Sequence, residues 1–372
     1  MKLGAQVMAD IKIERFYTLD VLRGVAALSV VVWHFQHFYY EPGGQLPENF
    51  RRSAQPLYQY LSLFYEYGYF AVQLFWILSG FIFFWMYLEK INNKTVDGKE
   101  FLILRVSRLY PLHFITLIFV AFLQIIFIEL NGHSIVYHAN TLKNFVLNLF
   151  FISDWRLRSA HSFNGPIWSV SVEIFAYIVF YFFSRFGFKS LTHCVVVTAA
   201  SFILYKVHPR LGDALFCFFM GGIIYIIYNS ITQRFSLIHR AKIFVPVLIA
   251  VAFAACFFVT RSDGVTSFLS LRVVFFPSIV LLLAFLQARY LTLGKSISIV
   301  GDITYSSYLI HFPLQLVIIG FSEYLALLLN PSVFFFFVYL VVLVIISYLV
   351  YENFERPAQR FLRRSLSRFT RP

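Results

Sequence analysis

The sequence predicts an all-α, polytopic membrane protein of about ten transmembrane helices with both termini cytoplasmic. Three observations predict it. Of 372 residues, 59% are hydrophobic and 13% charged, with a mean hydropathy of +0.73, against about 25% charged residues in a soluble domain. Apolar runs long enough to cross a bilayer, roughly 20 residues each, recur along the whole chain. The formal charge of +13 sits in short loops between those runs, which is the pattern of a membrane protein rather than of a nucleic-acid partner.

The qualifying runs start near Leu19, Tyr69, Leu109, Pro166, Leu191, Leu211, Phe244, Leu271, Ser296 and Ser332. An even number of spans puts the termini on one side. That side collects 21 of the 31 Lys and Arg, the other side nine, and Arg23 lies within a helix; the positive-inside rule then makes it the cytoplasm. The first run is longer than a signal-peptide core and carries Asp20 and Arg23, so it is read as a retained helix. The stretch Asn144 to Ile152 is too short to span and reads as re-entrant or interfacial. The basic tail from Phe354 to Phe369 reads first as an orientation signal. With no repeat and no linker, residues 1–372 form one membrane domain. Cys194, Cys217 and Cys256 lie singly in apolar stretches and read as small core residues, and no metal-ligand spacing is present.

Ionisable groups inside spans carry a cost and are candidates for function. Arg23 and His34 are eleven positions apart, about 20° from three full turns, so one helix face holds both at an axial separation of about 16 Å. Asp20 stands one turn before Arg23 and pairs with it. Arg105 and Arg108, three apart at the start of the third span, make a fork suited to phosphates; ordinary positive-inside charge is the competing reading. Glu173 is the one carboxylate several residues deep in the span that starts near Pro166, placed to orient a histidine or simply protonated and inert. His311 precedes Pro313, a helix residue that frees backbone carbonyls, and reads more readily as a satisfied core histidine than as a catalytic one. The absence of GxxxxGK[ST], GxGxxG, HExxH and GxSxG motifs takes support from nucleotide-driven pumps, zincins and serine hydrolases.

Six fragments in this order, LDVLRGVAALSVVVWH (19–34), GYFAVQLFWILSGFI (68–82), RVSRLYPLH (105–113), WSVSVEIFAY (168–177), GDITYSSYLIHFPL (301–314) and YENFERP (351–357), resemble the acyltransferase 3 family of bacterial membrane O-acyltransferases. The family commonly has WSLSVE where this chain has WSVSVE. The resemblance implies an acyl-CoA donor, usually acetyl-CoA, with no metal. It implies a glycan or lipid-linked glycan hydroxyl as acceptor and the bacterial inner membrane as location. It also implies Arg23 and His34 as essential residues and Arg105 and Arg108 as functional; many relatives carry an appended esterase-like domain, which is not expected here. In the expected chemistry His34 is the base, Glu173 orients it, and Arg23 helps hold the donor; Asp20, Trp168, Ser171, Tyr305 and His311 line the path. The rival readings are a transporter or flippase, and transfer of a succinyl or longer acyl group. Oligomeric state is open.

Overall fold

A computed structural model describes residues 13–41, 44–235, 243–252, 254, 269–325 and 329–368. Among them the chain is overwhelmingly helical, with no strand beyond one isolated bridge between Glu41 and Gln45. The helices are α1 (Tyr17–His34), α2 (Tyr58–Tyr67), α3 (Ala71–Asn92), α4 (Gly98–Asn131), α5 (Leu142–Leu149), α6 (Ile167–Arg185), α7 (Leu191–Val207), α8 (Pro209–Arg234), α9 (Ile243–Ala252), α10 (Phe276–Arg289), α11 (Thr304–Tyr324), α12 (Val333–Val350) and α13 (Arg356–Arg368). Short 3-10 turns extend α1 through Tyr39 and introduce α3, and π turns precede α10 and join α12 to α13.

Seven stretches among the described residues are long and apolar enough to cross a membrane: Tyr17–Tyr39, Tyr58–Asn92, Gly98–Asn131, Ile167–Arg185, Pro209–Arg234, Ser270–Arg289 and Val333–Leu366. They coincide with seven of the ten expected runs. The run near Leu191 forms a shorter apolar helix, α7. The run near Phe244 is described only through α9, and Cys256 lies outside the described residues. The run expected from Ser296 makes a 3-10 turn (Lys295–Ile297) and a four-residue helix (Ile299–Asp302) before the long helix α11 starts at Thr304, and α11 has 21 residues. It is less apolar because Ser306, Ser307, His311 and Gln315 are all buried in it. The third run begins eleven residues before Leu109, at Gly98, where the Asp97 side chain caps the helix by accepting from the Glu100 N–H at 2.7 Å. Arg105 and Arg108 therefore stand two to three turns inside α4 rather than at its first turn.

Large apolar side chains on the outside, such as Phe122, Ile125 and Phe334, suit a lipid-facing surface. The stretch Val333–Leu366 has only 22% of its apolar window buried. The expected short segment after residue 143 is α5, eight residues long. Cys194 and Cys217 are fully buried, as expected of core residues.

The contacts divide the chain into two compact units, residues 1–24 with 224–302 and residues 25–223 with 303–372. In the first, Thr18 holds α1 to α10 through its N–H to Gln287 Oε1 and its hydroxyl to the Leu283 carbonyl, both at 3.0 Å. Gly301 lets the chain approach α1 so closely that a Cβ there would sit 2.4 Å from the Asp20 carbonyl oxygen.

In the second unit, α4 packs extensively on α11 and α13, and α3 packs on α6. Its apolar core joins Val31 and Phe35 with Leu117, Val120, Leu316 and Leu343. Helices α3 and α8 cross at two glycines: a Cβ on Gly80 would lie 1.8 Å from the Phe218 carbonyl oxygen, and one on Gly221 would lie 2.1 Å from that of Ile77. Such backbone proximity is available only without side chains. Pro313 interrupts the ladder of α11 by lacking an N–H, which releases the Leu309 carbonyl four residues earlier. Asn164, fully buried, takes it with its amide at 3.0 Å.

Candidate functional site

The polar residues of the second unit gather into three connected groups. The first is a histidine centre where α1 ends and α11 is interrupted by proline. His34 is the last residue of α1 and His37 follows in the 3-10 turn, both buried. Nε2 of His311 lies 3.0 Å from Nδ1 of His34, with the rings stacked 5.0 Å apart at 21°.

The proton positions follow from partners that have only one role. The Ser307 carbonyl, 3.3 Å from His311 Nδ1, only accepts, so that nitrogen carries the hydrogen and the neutral ring offers a lone pair at Nε2. His34 Nδ1–H must then donate to it. The lone pair of His34 is left on Nε2, the form a general base needs. A second chain fixes the backbone. Gln315 donates from Nε2 to the His34 carbonyl at 3.0 Å, so its Oε1 accepts from His37 Nδ1, also at 3.0 Å.

The partner at His34 Nδ1 is thus His311, where the sequence reading placed Glu173. Glu173 accepts instead from the hydroxyls of Ser79 and of Tyr177, the latter at 2.6 Å and one turn along α6. Both donors meet the same oxygen, Oε1. Glu173 lies within electrostatic reach of Tyr305 and Tyr308. Tyr308 shares its hydroxyl with Ser169 at 2.8 Å and meets His311 edge-on at 5.9 Å. The carboxylate therefore stands between the histidines and the second group.

That second group consists of arginines. Arg105 lies over the rings of Phe83 and Tyr87, 4.8 and 4.9 Å from their centroids, and donates to the Tyr87 hydroxyl at 2.5 Å. Its Nε is buried with no hydrogen-bond partner. Phe83 stacks in turn on Tyr177 at 4.2 Å, which joins the arginine to Glu173. Arg108 lies within electrostatic reach of Arg105, Tyr177 and Tyr305. Arg363 of α13 joins them, donating from Nε to the Ser107 hydroxyl at 3.3 Å.

The third group was not foreseen from sequence. Asp154, buried, accepts from Arg210, and also from the Ser153 and Ser159 hydroxyls at 2.8 and 2.9 Å. Arg210 lies 5.2 Å from the Trp168 ring and donates to His161 Nε2 at 3.3 Å. Burial first, then the positive charge of Arg210, push the His161 pKa down to about 4, with Asp154 opposing. His161 is within electrostatic reach of His34.

The other sequence candidates divide. Tyr305 is buried and donates to the Leu109 carbonyl at 2.6 Å, tying α11 to α4 beside the arginines. Trp168 meets Trp76 edge-on as well as Arg210. Ser171, fully buried, donates to the Phe151 carbonyl at 2.8 Å and accepts from the Asp154 N–H at 3.2 Å, clamping the turn that presents Asp154. Asp20 and Arg23 belong to the other unit. There Asp20 bonds Arg23 at 3.1 Å and Arg15 at 2.6 Å, and Arg15 reaches Asp302 at 2.5 Å. Among the described residues no group of His, Cys, Asp and Glu fits a metal ion.

A family model described as an acyltransferase domain matches residues 16–352. The chain is similar to "Protein 2 in picA locus" of Rhizobium radiobacter, 28% identical over 205 residues, which is 52% of this chain and 94% of that protein. No solved structure matches.

Proposed function

The chain belongs to the acyltransferase 3 family, and on that premise we propose that it transfers an acyl group, acetyl, from acyl-CoA to a hydroxyl of a glycan or lipid-linked glycan. His34 Nε2 removes the hydroxyl proton as the oxygen attacks the thioester carbonyl. The C–O bond forms, the C–S bond breaks, and the leaving sulfur recovers the proton, so free CoA and an O-acyl ester result. His311 holds His34 in the reactive tautomer and shares the charge that develops, the part a carboxylate plays in hydrolase triads. Arg105 and Arg108 hold the donor phosphates, and Arg23, eleven residues before His34 in the sequence, helps position the donor.

The observation that carries this reading is the His34–His311 hydrogen bond, because it leaves the one lone pair that base catalysis requires. The polar groups from Arg105 through Tyr177, Glu173 and Tyr308 to His311 support a donor and an acceptor that enter from opposite ends. With ten spans, cytoplasmic termini and a location in the bacterial inner membrane, residues 1–372 act as one domain that moves the acyl group across the bilayer.

Sided proteoliposomes test it. Acyl-CoA enclosed on the side of the termini and glycan supplied only on the other side should give free thiol and glycan ester together, and His34→Ala should give neither. Acylation only when both substrates share one side would overturn the sidedness. Full acylation by His34→Ala would overturn the chemistry.

A further inference from the structure

We propose that Arg363, from the C-terminal helix, completes the arginine group as a three-guanidinium site that recognises the 3′-phosphate of the donor; this rests on the donor assignment made above. Arg363 comes from α13, beyond residue 352 where the family match stops. Sequence alone assigns it to the basic tail. Its placement says otherwise. Arg363 is partly buried and bonded to Ser107, between Arg105 and Arg108 on α4, whereas Arg360 and Arg364 of the same helix are exposed. Electrostatic reach links Arg363 to Arg108 and Tyr87, and Arg105 to both other arginines.

Three like charges brought together repel, and withdrawal from water adds to the cost. Among the described residues none of the three forms an ion pair with a carboxylate. Arg356, by contrast, is paired with Glu352 one turn away. Such a group is complementary to an anion of several charges, with guanidinium forks matching phosphate oxygens. The donor class carries a diphosphate beside the pantetheine arm and a separate phosphate on the ribose. Arg105 and Arg108, successive on one helix, suit the diphosphate. Arg363, approaching from another helix, suits the phosphate that stands apart. Phosphorylated lipid headgroups offer the same chemistry and are the competing source.

The test uses the full chain in nanodiscs of zwitterionic lipid, titrated with CoA and with 3′-dephospho-CoA. Wild type should bind CoA roughly 10- to 100-fold tighter, the range of a charge-assisted hydrogen bond. Arg363→Gln should abolish that preference by weakening CoA alone, and Arg363→Lys should restore part of it. Equal weakening of both ligands, or no change in either, overturns the proposal. So does loss of phosphatidylglycerol retention by Arg363→Gln, read in a second set of nanodiscs that contain that lipid, with the CoA preference intact, which would assign the arginine to a headgroup. Arg105→Gln separates this from the donor assignment. If it weakens both ligands while Arg363→Gln has no effect, only the present inference fails. If neither variant changes either affinity, the donor site itself is misplaced.

Discussion

His34 and His311, 277 residues apart in sequence, share a 3.0 Å hydrogen bond between Nδ1 of the first and Nε2 of the second. The bond has a direction, because His311 Nδ1 is already committed to the Ser307 carbonyl. A neutral imidazole thus sets the tautomer of its neighbour, and the two residues should fail differently when replaced.

His34→Ala should lower the rate of thiol release from acyl-CoA by 10²- to 10⁴-fold, on the order expected for a positioned base. His311→Ala should lower kcat by a smaller factor with the KM for acyl-CoA unchanged, since it touches only the base. A rise in KM with kcat preserved would place His311 in donor binding instead.

Glu173 and Ser79 should behave as one unit. Their hydrogen bond joins α6 to α3, so Glu173→Gln and Ser79→Ala should be non-additive in thermal stability by on the order of 1 kcal/mol. A double-mutant cycle in detergent measures this. Strict additivity would mean that the bond contributes nothing to the folded state.

The group around His161 predicts a pH dependence. Its imidazole is held at about 4, against an ordinary value of 6.5, by burial and by Arg210. The unfolded chain takes up this proton below about pH 6.5, and the folded chain only near 4. The stabilisation is therefore complete above pH 6.5 and is lost as pH falls toward 4. The thermal midpoint should decline across that window, and less steeply in His161→Gln. Parallel profiles for the two proteins would exclude His161 as the source.

In the other unit, Asp20→Asn should loosen the Arg15–Asp20–Arg23 chain. The Arg15 side chain is 39% exposed, so solvent screens much of the interaction, and a loss of about 1 kcal/mol is expected. A thermal shift assay at low and high salt checks it, with the smaller loss at high salt. Destabilisation that does not change with salt would argue for packing rather than charge.

The membrane class and most helices were legible because apolar length is a local property of the sequence. Three runs were harder to place for physical reasons. The run at Leu191 makes a helix of 17 residues, that at Phe244 runs into residues outside the description, and α11 carries its polar side chains inward, lowering its hydropathy where packing needs them. The meeting of Asp20 with Arg23 was legible from spacing on one helix. The role given to Glu173 was not, because which buried polar groups meet is decided by tertiary packing. Its bond to Tyr177 was within reach, since four positions on a helix place two residues on one face. The pairing of His34 with His311, the approach of Arg363 to Ser107 and the Asp154–Arg210 pair join residues at least 56 apart, and nothing in a local pattern announces them.

The crossing of α3 and α8 at Gly80 and Gly221 has a mechanical consequence. Two backbones in such contact cannot slide past each other by a turn, because the flanking Phe218, Ile77 and Phe81 would have to pass through the space the glycines leave open. Helix α3 also presents Ser79 to Glu173 and Phe83 to Arg105, so this seam clamps the middle of the polar route to one fixed register. Opening for substrate exchange then falls to helices not welded in this way. Crosslinking α3 to α8 beside the glycines should leave turnover intact, while crosslinking α4 to α13 across the arginine group should arrest it.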